Sequence, residues 1–522
     1  MKYSTYIILL LVLMGAGCQP DLLNTVPNDR ITANIFWKQE KDAILTANAI
    51  YNYLDGMEIF SNASLSDIAH PDQNYMNEAY IVKGAYGALN EIIIDRWENA
   101  YKGIRAANYF LENVDKVETD DSNLIADLKG QVRFLRAYLY LRLVRLYGDV
   151  PLITKTLSIA ESKQLSRTPA EQIWDFIEQE FTEAADELPA QTDEPGRITK
   201  GAALAFNARA MLYAGRYREA ETAAKAVMDL NVYDLYPRYK DLFTYGAEHN
   251  SEVILDKEFI ANIQANNVFA LLAPYSQGAS GNIVPVKKLV DAYEMTNGKP
   301  ITDPTSGFDP QNPYAQRDPR LKYSVYVIGS DLPNGTTYDS RPNSGTSDAI
   351  GYKPGSTKTG FNIKKYINDQ DLADRDNCGI NLILMRYAEV LLTYAEAKIE
   401  LGEIDASVYN AINQVRQRPD VNMPAIVAPK TQVEMRRIVR HERMVELAFE
   451  GQRFFDIRRW KIADKVMNGP TYGMTYTNSE GKLVTIKNVA IVSHFDPARD
   501  YLWPIPQKEI DLNPNLKQNP KW

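Results

Sequence analysis

The chain has 522 residues, of which 45% are hydrophobic and 24% charged, and its formal net charge at pH 7 is −9. Such a composition is typical of a globular protein with a large apolar core. The negative charge, with no dense run of Lys or Arg, argues against a nucleic acid as a partner.

The first 18 residues follow the pattern of an exported protein. Lys2 gives a positive start, residues 7–14 form an apolar run too short to span a bilayer, and three small residues precede Cys18. We therefore predict a lipoprotein signal peptide over residues 1–17, with Cys18 acylated after cleavage. The alternative is a secreted protein in which Cys18 is incidental, because glycine stands where lipoprotein signals usually have leucine. With Cys18 acylated, Cys378 has no disulfide partner.

Beyond the cysteine, residues 18–35 are polar and contain proline, which indicates a tether or an extended arm. From residue 36 to residue 240, apolar side chains recur every three or four positions, the spacing of amphipathic helices. The predicted helices lie at 40–54, in two long stretches within 97–147, at 170–188 and at 200–230.

Two short segments resemble the turn between the paired helices of a tetratricopeptide unit. In the first, Gly215 separates two helical patterns, and Tyr217 and Ala220 supply the residues that pack the helices together. The second spans residues 395–412, with Gly402 at the turn. Because these units are unevenly spaced, we predict an interrupted array of helix pairs and not a regular solenoid.

Residues 250–522 form the second predicted region, which begins with an irregular insert. The insert, residues 260–380, is rich in Gly, Pro, Asn, Ser and Asp, so we predict loops with short strands such as 323–328. Helices are predicted again over 385–466, and the tail from there to Trp522 is predicted to be loop with scattered prolines. The predicted fold class is mainly α, with tetratricopeptide-like helix pairs and a loop-rich insert carrying short strands.

The C-terminal helices contain a dense group of ionisable side chains. Glycoside hydrolysis requires two carboxylates at a fixed separation across a sugar. Glutamates spaced four apart and interleaved with arginines are more typical of structural salt bridges. We predict such a network for Glu442, Glu446 and Glu450 with Arg436, Arg440 and Arg443.

Motifs for catalysis, nucleotide binding or metal binding are absent from the sequence. The four histidines, His70, His249, His441 and His494, are far apart, and no cysteine pair exists. We therefore predict a protein that is not an enzyme and has no cofactor or metal site.

Eight groups of residues, in order along nearly the whole mature chain, resemble the SusD/RagB family of surface glycan-binding lipoproteins. They include Tyr-Gly-Asp-Val-Pro at 147–151, Arg-Tyr-Ala-Glu-Val-Leu-Leu at 386–392, Glu-Leu-Ala-Phe-Glu-Gly at 446–451 and Trp-Pro-Ile-Pro at 503–506. The resemblance implies four tetratricopeptide-like helix pairs, with the ligand site in an irregular region. It also implies an outer-membrane, cell-surface location through acylated Cys18, and a SusC-like TonB-dependent barrel over which the protein lies as a lid.

A sugar site in water needs an apolar platform for the ring and polar side chains for its hydroxyls. The chain has 32 Tyr and 6 Trp, and the tryptophans fall mostly in segments that match the family framework, so we expect tyrosine to form the platform. Two segments rich in polar and aromatic residues supply candidates, with Asn74 and Tyr75 the preferred pair. The candidates are Asp67, His70, Asp72, Asn74, Tyr75, Tyr80 and Tyr86 before residue 90, and Tyr275, Tyr314, Tyr338 and Tyr352 in the insert.

The function predicted from the sequence is a non-catalytic receptor that binds an oligosaccharide and delivers it to the barrel. Two alternatives remain open. One is an equivalent lid for peptides or another nutrient, as RagB-type members imply, and the other is a tetratricopeptide-type scaffold for protein assembly.

Overall fold

A computed structural model of the chain describes residues 36–522, so the predicted signal peptide, Cys18 and the 18–35 tether lie outside the described residues. Its helices are α1 Glu40–Ile50, α2 Glu58–Ser64, α3 Asn77–Val82, α4 Glu91–Leu111, α5 Ser122–Tyr147, α6 Ile159–Ser162, α7 Ala170–Glu187, α8 Lys200–Ala214, α9 Tyr217–Asp229, α10 Val268–Leu272, α11 Lys287–Ala292, α12 Arg320–Ser324, α13 Tyr387–Glu400, α14 Ala406–Arg416, α15 Gln432–Glu446, α16 Arg453–Arg459, α17 Ala463–Val466 and α18 Gln507–Leu512. Its strands are β1 Ala69–Pro71, β2 Val253–Lys257, β3 Ile283–Pro285, β4 Val325–Tyr326, β5 Asn362–Ile363, β6 Leu382–Arg386, β7 Gly469–Thr477 and β8 Leu483–Ser493.

The long helices form one continuous array in space, although the insert interrupts it in the sequence. Helix α4 packs on α5, α5 on α7, α7 on α8 and α8 on α9. Helix α13 then packs on α9, and α14 and α15 pack on α13. The predicted class, a mainly α fold with helix pairs and an irregular insert, is confirmed.

The turn between α8 and α9 shows why the sequence folds into pairs. Gly215 adopts a left-handed conformation with φ of 77°, which a residue with a Cβ rarely adopts. The N–H of Gly215 donates to Leu212 O, and that of Arg216 donates to Met211 O, so carbonyl groups at the helix end are satisfied. Ala220 is fully buried where α9 packs against its neighbours. The predicted glycine turn between two packed helices is therefore present.

The strands form antiparallel pairs: β1 with β3, β2 with β6, β4 with β5, and β7 with β8. The predicted strand at 323–328 is only partly correct, because α12 occupies its beginning and β4 covers two residues. Asp318 explains the change, since its side chain accepts a hydrogen bond from the backbone N–H of Arg320 in the first turn of α12.

The prediction of a loop-like tail is wrong between residues 469 and 493, where β7 and β8 form a hairpin. Asn478 makes the turn: its side chain accepts hydrogen bonds from the N–H groups of Glu480 and Lys482, and Gly481 has a φ of 75°. The hairpin docks on the insert, because the N–H of buried Met474 donates to the carbonyl of Thr359 at 2.7 Å.

A buried ion-pair network joins the insert to the C-terminal helices. Glu442 and Glu446 are 0% exposed and Glu450 is 6% exposed. Burial raises the pKa of each carboxyl, but the surrounding cations outweigh it and the pKa is lowered on balance. The cations within 3.0 Å of these three carboxylates are Arg320, Arg386, Arg416, Arg418 and Lys365.

The predicted network therefore exists with different partners. Arg436 and Arg440 pair with Glu400, and Arg443 pairs with Asp456. The predicted pairing joins residues on one helix, whereas the observed cations come from other elements that close over α15. Within the described residues, no helix is long and apolar enough to cross a bilayer.

Candidate functional site

The two segments predicted to bind ligand meet in the structure. Strand β1 pairs with β3 of the insert, and the N–H of Asp72 donates to Asn282 O at 2.7 Å. The side-chain amide of Gln73 donates to Pro354 O at 2.5 Å, and the N–H of Lys358 donates to the Asp72 carboxylate at 2.9 Å. We name the surface formed by residues 72–75, Tyr275 and residues 352–358 the junction surface.

Asp72 fastens the two halves of this surface. It is fully buried and accepts hydrogen bonds from Gln73 and from the backbone of Lys358. Burial raises the pKa of Asp72 to about 6, although the nearby Lys358 ammonium acts in the opposite direction. Because Asp72 has no exposed surface, it positions its neighbours and does not contact a ligand directly.

The residues that follow Asp72 and Gln73 are exposed. Tyr75 is 76% exposed, and the amide oxygen of Asn74 accepts a hydrogen bond from Lys83 Nζ at 3.0 Å. Across the junction, Tyr352 is 53% exposed. Tyr275 is half-buried against Gly355, where an added Cβ would lie 3.0 Å from the tyrosine ring. The junction surface thus carries two exposed aromatic rings and an amide group.

A cleft of about 640 Å³ borders the junction surface on the side of Met76, the residue after Tyr75. It is lined by side chains from the α2 and α4 helices, the Met76 segment and the beginning of the insert. These include Met57, Glu78, Asp95, Asn99, Phe259, Asn266, Asn267 and Leu271. Sequence reasoning missed this cleft because its walls come from two parts of the chain, residues 56–99 and 257–376, that are more than 150 residues apart. The only local signal is Asn266-Asn267, a polar pair beside the apolar helix α10.

Asp67 and His70, both predicted as ligand candidates, are buried and serve to hold the hairpin and helix α16. Arg453 donates to the Asp67 carboxylate at 2.7 and 2.9 Å, and Lys288 pairs with it at 2.7 Å. The ring of His70 contacts Thr471 Oγ1 at 3.1 Å. Burial lowers the pKa of His70 to about 4, so the ring is neutral at pH 7.

Tyr80 and Tyr86 differ in exposure. Tyr80, on α3, is 44% exposed and lies in the same segment as Tyr75. Tyr86 donates its hydroxyl to Asp500 at 3.0 Å, and its ring lies 4.7 Å from that of Trp522. Tyr86 therefore packs the C-terminal end of the chain.

Two candidates in the insert also pack internally. Tyr338 is 0% exposed, and its hydroxyl donates to Asn362 Oδ1 at 2.9 Å. Tyr314 is half-buried, with its ring 6.4 Å from that of Phe361. The structure does not bring these two rings to the junction surface.

Exposed aromatic side chains in the described part of the chain are tyrosines, and no tryptophan or phenylalanine is among them. They are Tyr75, Tyr80, Tyr109, Tyr352 and Tyr472, and three of these five belong to the segments selected from the sequence. Trp37, Trp97 and Trp503 are at most 3% exposed. An aromatic platform on the described surface therefore depends on tyrosine.

Comparison with known proteins gives consistent matches over nearly the whole chain. A family model described as the SusD family matches residues 242–522, and another, described as starch-binding and associating with the outer membrane, matches residues 26–212. SusD-like protein P2 of Formosa agariphila is 26% identical to this chain, over 99% of each.

Solved structures with the same fold include a SusD-like carbohydrate binding protein from Bacteroides fragilis. It is 30% identical, with a TM-score of 0.86 over 92% of this chain and all of the other. A laminarin binding SusD-like protein is 22% identical, with a TM-score of 0.72 over 93% of this chain and all of the other. At this identity the match shows only that the two chains share a fold.

Proposed function

The chain belongs to the SusD family, and on that basis we propose that it is a cell-surface lipoprotein that binds oligosaccharides and hands them to an outer-membrane transporter. The junction surface is the proposed binding site, with Tyr75 and Tyr352 as the aromatic platform. Asn74 supplies hydrogen bonds to sugar hydroxyls. The bordering cleft receives the rest of the oligosaccharide.

The exposure of Tyr75 and Tyr352 at one junction is the observation that carries this proposal. An exposed tyrosine ring offers an apolar face for a sugar ring, and tyrosine loses little conformational entropy when it stacks on a sugar. Gln73 and Pro354 join the two segments at 2.5 Å, so each ring lies two residues from a fixed contact. The backbone that carries the two rings is thus held by the fold before a ligand arrives, which lowers the entropic cost of binding.

The glutamates that most resemble catalytic carboxylates are buried, which fits a protein that binds its ligand without catalysis. Glu442 and Glu446 have no exposed surface, and each pairs with at least two arginines. A glycosidase needs an acid and a base or nucleophile that reach the sugar. These residues are instead structural, and we propose that the protein captures its ligand unchanged.

The proposed partner is a SusC-like TonB-dependent barrel, over which the protein lies as a lid. The matched description of a starch-binding protein that associates with the outer membrane supports this location. Acylated Cys18 is the proposed anchor, and two or more acyl chains would be needed for stable attachment.

Isothermal titration against a panel of purified oligosaccharides tests ligand binding. With the best ligand, the double variant Tyr75→Ala/Tyr352→Ala should lose roughly tenfold or more in affinity, because each stacked ring contributes about 0.5–1.5 kcal/mol. Tyr472→Ala is the matched control, since Tyr472 is 46% exposed but lies on the hairpin strand β7. Equal affinity of the double variant and the control would refute the proposed platform.

A second experiment tests whether the protein associates with a TonB-dependent barrel. The protein is purified from membranes solubilised in mild detergent, and a TonB-dependent barrel should copurify with it. Recovery without a barrel would favour an isolated scaffold. Binding to a peptide panel, with none to glycans, would assign the same site to another nutrient.

A further inference from the structure

A second cluster of polar side chains lies away from the junction surface, where β2 ends. Asp256 is on β2 and Glu258 follows two positions later, so both carboxylates project from the same side of the extended chain. His249, in the turn before β2, places Nε2 2.7 Å from Glu258 Oε1. One ligand atom from each of His249, Asp256 and Glu258 lies within 4.8 Å of the other two. We name these three residues the His249 cluster.

Asp256 is the unusual member of this cluster. It is 4% exposed, yet no basic side chain among residues 36–487 and 491–522 forms an ion pair with its carboxylate. Asp67, equally buried, receives Arg453 and Lys288. A buried carboxylate without a cation beside it is unfavourable. A cation between Asp256 and its two neighbours would remove that cost.

The basic side chains near Asp256 are already occupied. Lys257 lines the same cavity as Asp256 but donates to the carbonyls of Asn52 and Leu54 at 3.1 and 2.9 Å. Arg197 lines the same cavity of about 310 Å³ as Asp256, but it pairs with Glu194 at 2.8 Å. The cation that the cluster needs therefore does not come from these side chains.

The surrounding backbone holds the ligands in place. The side-chain oxygen of Asn381 accepts a hydrogen bond from the N–H of Phe259, next to Glu258, at 2.8 Å. The backbone N–H of Asn381 donates to Glu248, next to His249, also at 2.8 Å. A single residue thus links the chain beside two of the three ligands.

We propose that His249, Asp256 and Glu258 form a binding site for a divalent transition metal ion, with zinc the best fit. Zinc binds imidazole nitrogens and carboxylate oxygens in four-coordinate sites, and a water molecule would complete the tetrahedron here. Calcium prefers six to eight oxygen ligands and suits this set poorly.

The required movement is small. Ligand atoms around one tetrahedral zinc ion lie roughly 3.3 Å apart, given bonds of about 2.0 Å. The 2.7 Å contact between His249 and Glu258 has to widen, and the longest separation, at most 4.8 Å, has to shorten. The side chains of His249 and Glu258 are each 41% exposed and have solvent on one side, whereas Asp256 is buried and is the fixed point.

Sequence reasoning missed this site because it looked for histidine or cysteine pairs. The available signal was two carboxylates at alternate positions next to a β-strand, with a histidine seven residues before the first. This pattern alone is a weak signal, because only the folded turn at His249 places the imidazole next to the carboxylates.

The test is titration of ZnCl₂ into chelator-treated protein, followed by calorimetry, with CaCl₂ as the comparison ion. Wild type should bind one zinc ion per chain, and calcium should not compete. Asp256→Asn and Glu258→Gln should each weaken zinc binding at least tenfold. Glu258 is partly exposed, so Glu258→Gln keeps the test decisive even if Asp256→Asn fails to fold.

His494→Gln is the matched control, because His494 is exposed and lies outside the cluster, after β8. It should leave the zinc affinity unchanged. Three results would each overturn the proposal: no saturable zinc binding by wild type, unchanged affinity in Glu258→Gln, or loss of binding in His494→Gln. None of them depends on whether the protein binds glycans.

Discussion

Replacing Glu446 with glutamine tests whether the ion-pair network is structural, as we conclude, or belongs to a functional site. Glu446 is fully buried and contacts Arg320 at 2.8 Å, Arg386 at 2.7 Å and Arg418 at 3.0 Å. Glutamine has nearly the same shape but no charge, and its NH₂ group faces guanidinium groups that cannot accept a hydrogen bond. The substitution therefore removes ion pairs without creating a cavity.

The size of the effect depends on the carboxylates that remain next to each arginine in the variant. Removing one partner of a buried pair costs about 3–5 kcal/mol when the other charge is left alone. Each of the three arginines retains another carboxylate within 3.0 Å, so we expect the lower end, a loss of about 3 kcal/mol in the free energy of unfolding. The retained partners are Asp318, Glu442, Glu252 and Glu450.

The expected loss depends on pH in a defined direction. Burial raises the pKa of Glu446, but the three arginines outweigh it and the pKa is lower in the folded protein than in the unfolded chain. The stabilisation is therefore complete above the unfolded-state pKa of about 4.3 and decreases as the pH falls below it. The difference between wild type and variant should be constant from pH 8 to pH 6 and should shrink below about pH 4.

Equilibrium unfolding in urea measures the loss as a shift in midpoint with an unchanged slope. Glu403→Gln is the control, because Glu403 makes an exposed ion pair with Arg218 and its loss should leave the midpoint unchanged. A change of less than about 1 kcal/mol in Glu446→Gln would refute the structural interpretation. The folded variant should also bind glycan with wild-type affinity, since Glu446 has no exposed surface.

Three further predictions concern other parts of the chain. Burial lowers the pKa of His70 to about 4, so wild type should lose about 3 kcal/mol more stability than His70→Asn between pH 7 and pH 4; parallel pH profiles in urea unfolding would contradict this. Gly473→Ala should cost about 1–3 kcal/mol because the new Cβ overlaps the Thr359 carbonyl. Gly246→Ala is the control in the same assay, because its new Cβ meets no atom within 4 Å and the substitution should be neutral. Equal unfolding midpoints for Gly473→Ala and Gly246→Ala would contradict the docking of the hairpin. Cys18→Ser should be released from the outer membrane with unchanged ligand affinity, as fractionation and titration would show, and its retention in cells lacking the barrel would contradict lipid anchoring.

The helical array could be predicted from the sequence because its rules are local. A helix of 26 residues such as α5 repeats its apolar positions many times, and a glycine at position 215 marks the turn by itself. The hairpin could not be predicted in the same way. Its pairing shifts register between Tyr472 and Thr475, so strict alternation of buried and exposed residues is lost.

The candidate site shows a similar limit. Tyr338 and Tyr352 lie in similar polar, glycine-containing sequence, yet one is 0% and the other 53% exposed. Tyr338 packs in a small apolar cluster with Leu332 and with Tyr326 on β4, whose ring lies 6.0 Å from its own. The ion pairs also depend on the fold, because paired residues such as Arg320 and Glu442 are 122 positions apart in the sequence. Exposure and pairing over such separations are properties of the folded chain.

The most direct test of the central claim is a crystal structure of the protein with an oligosaccharide selected from the binding panel. We expect a sugar ring stacked on Tyr75 or Tyr352, with ring atoms about 4 Å apart, and a hydroxyl bound to the side chain of Asn74. An oligosaccharide bound elsewhere on the surface, with both tyrosines still in water, would contradict the account.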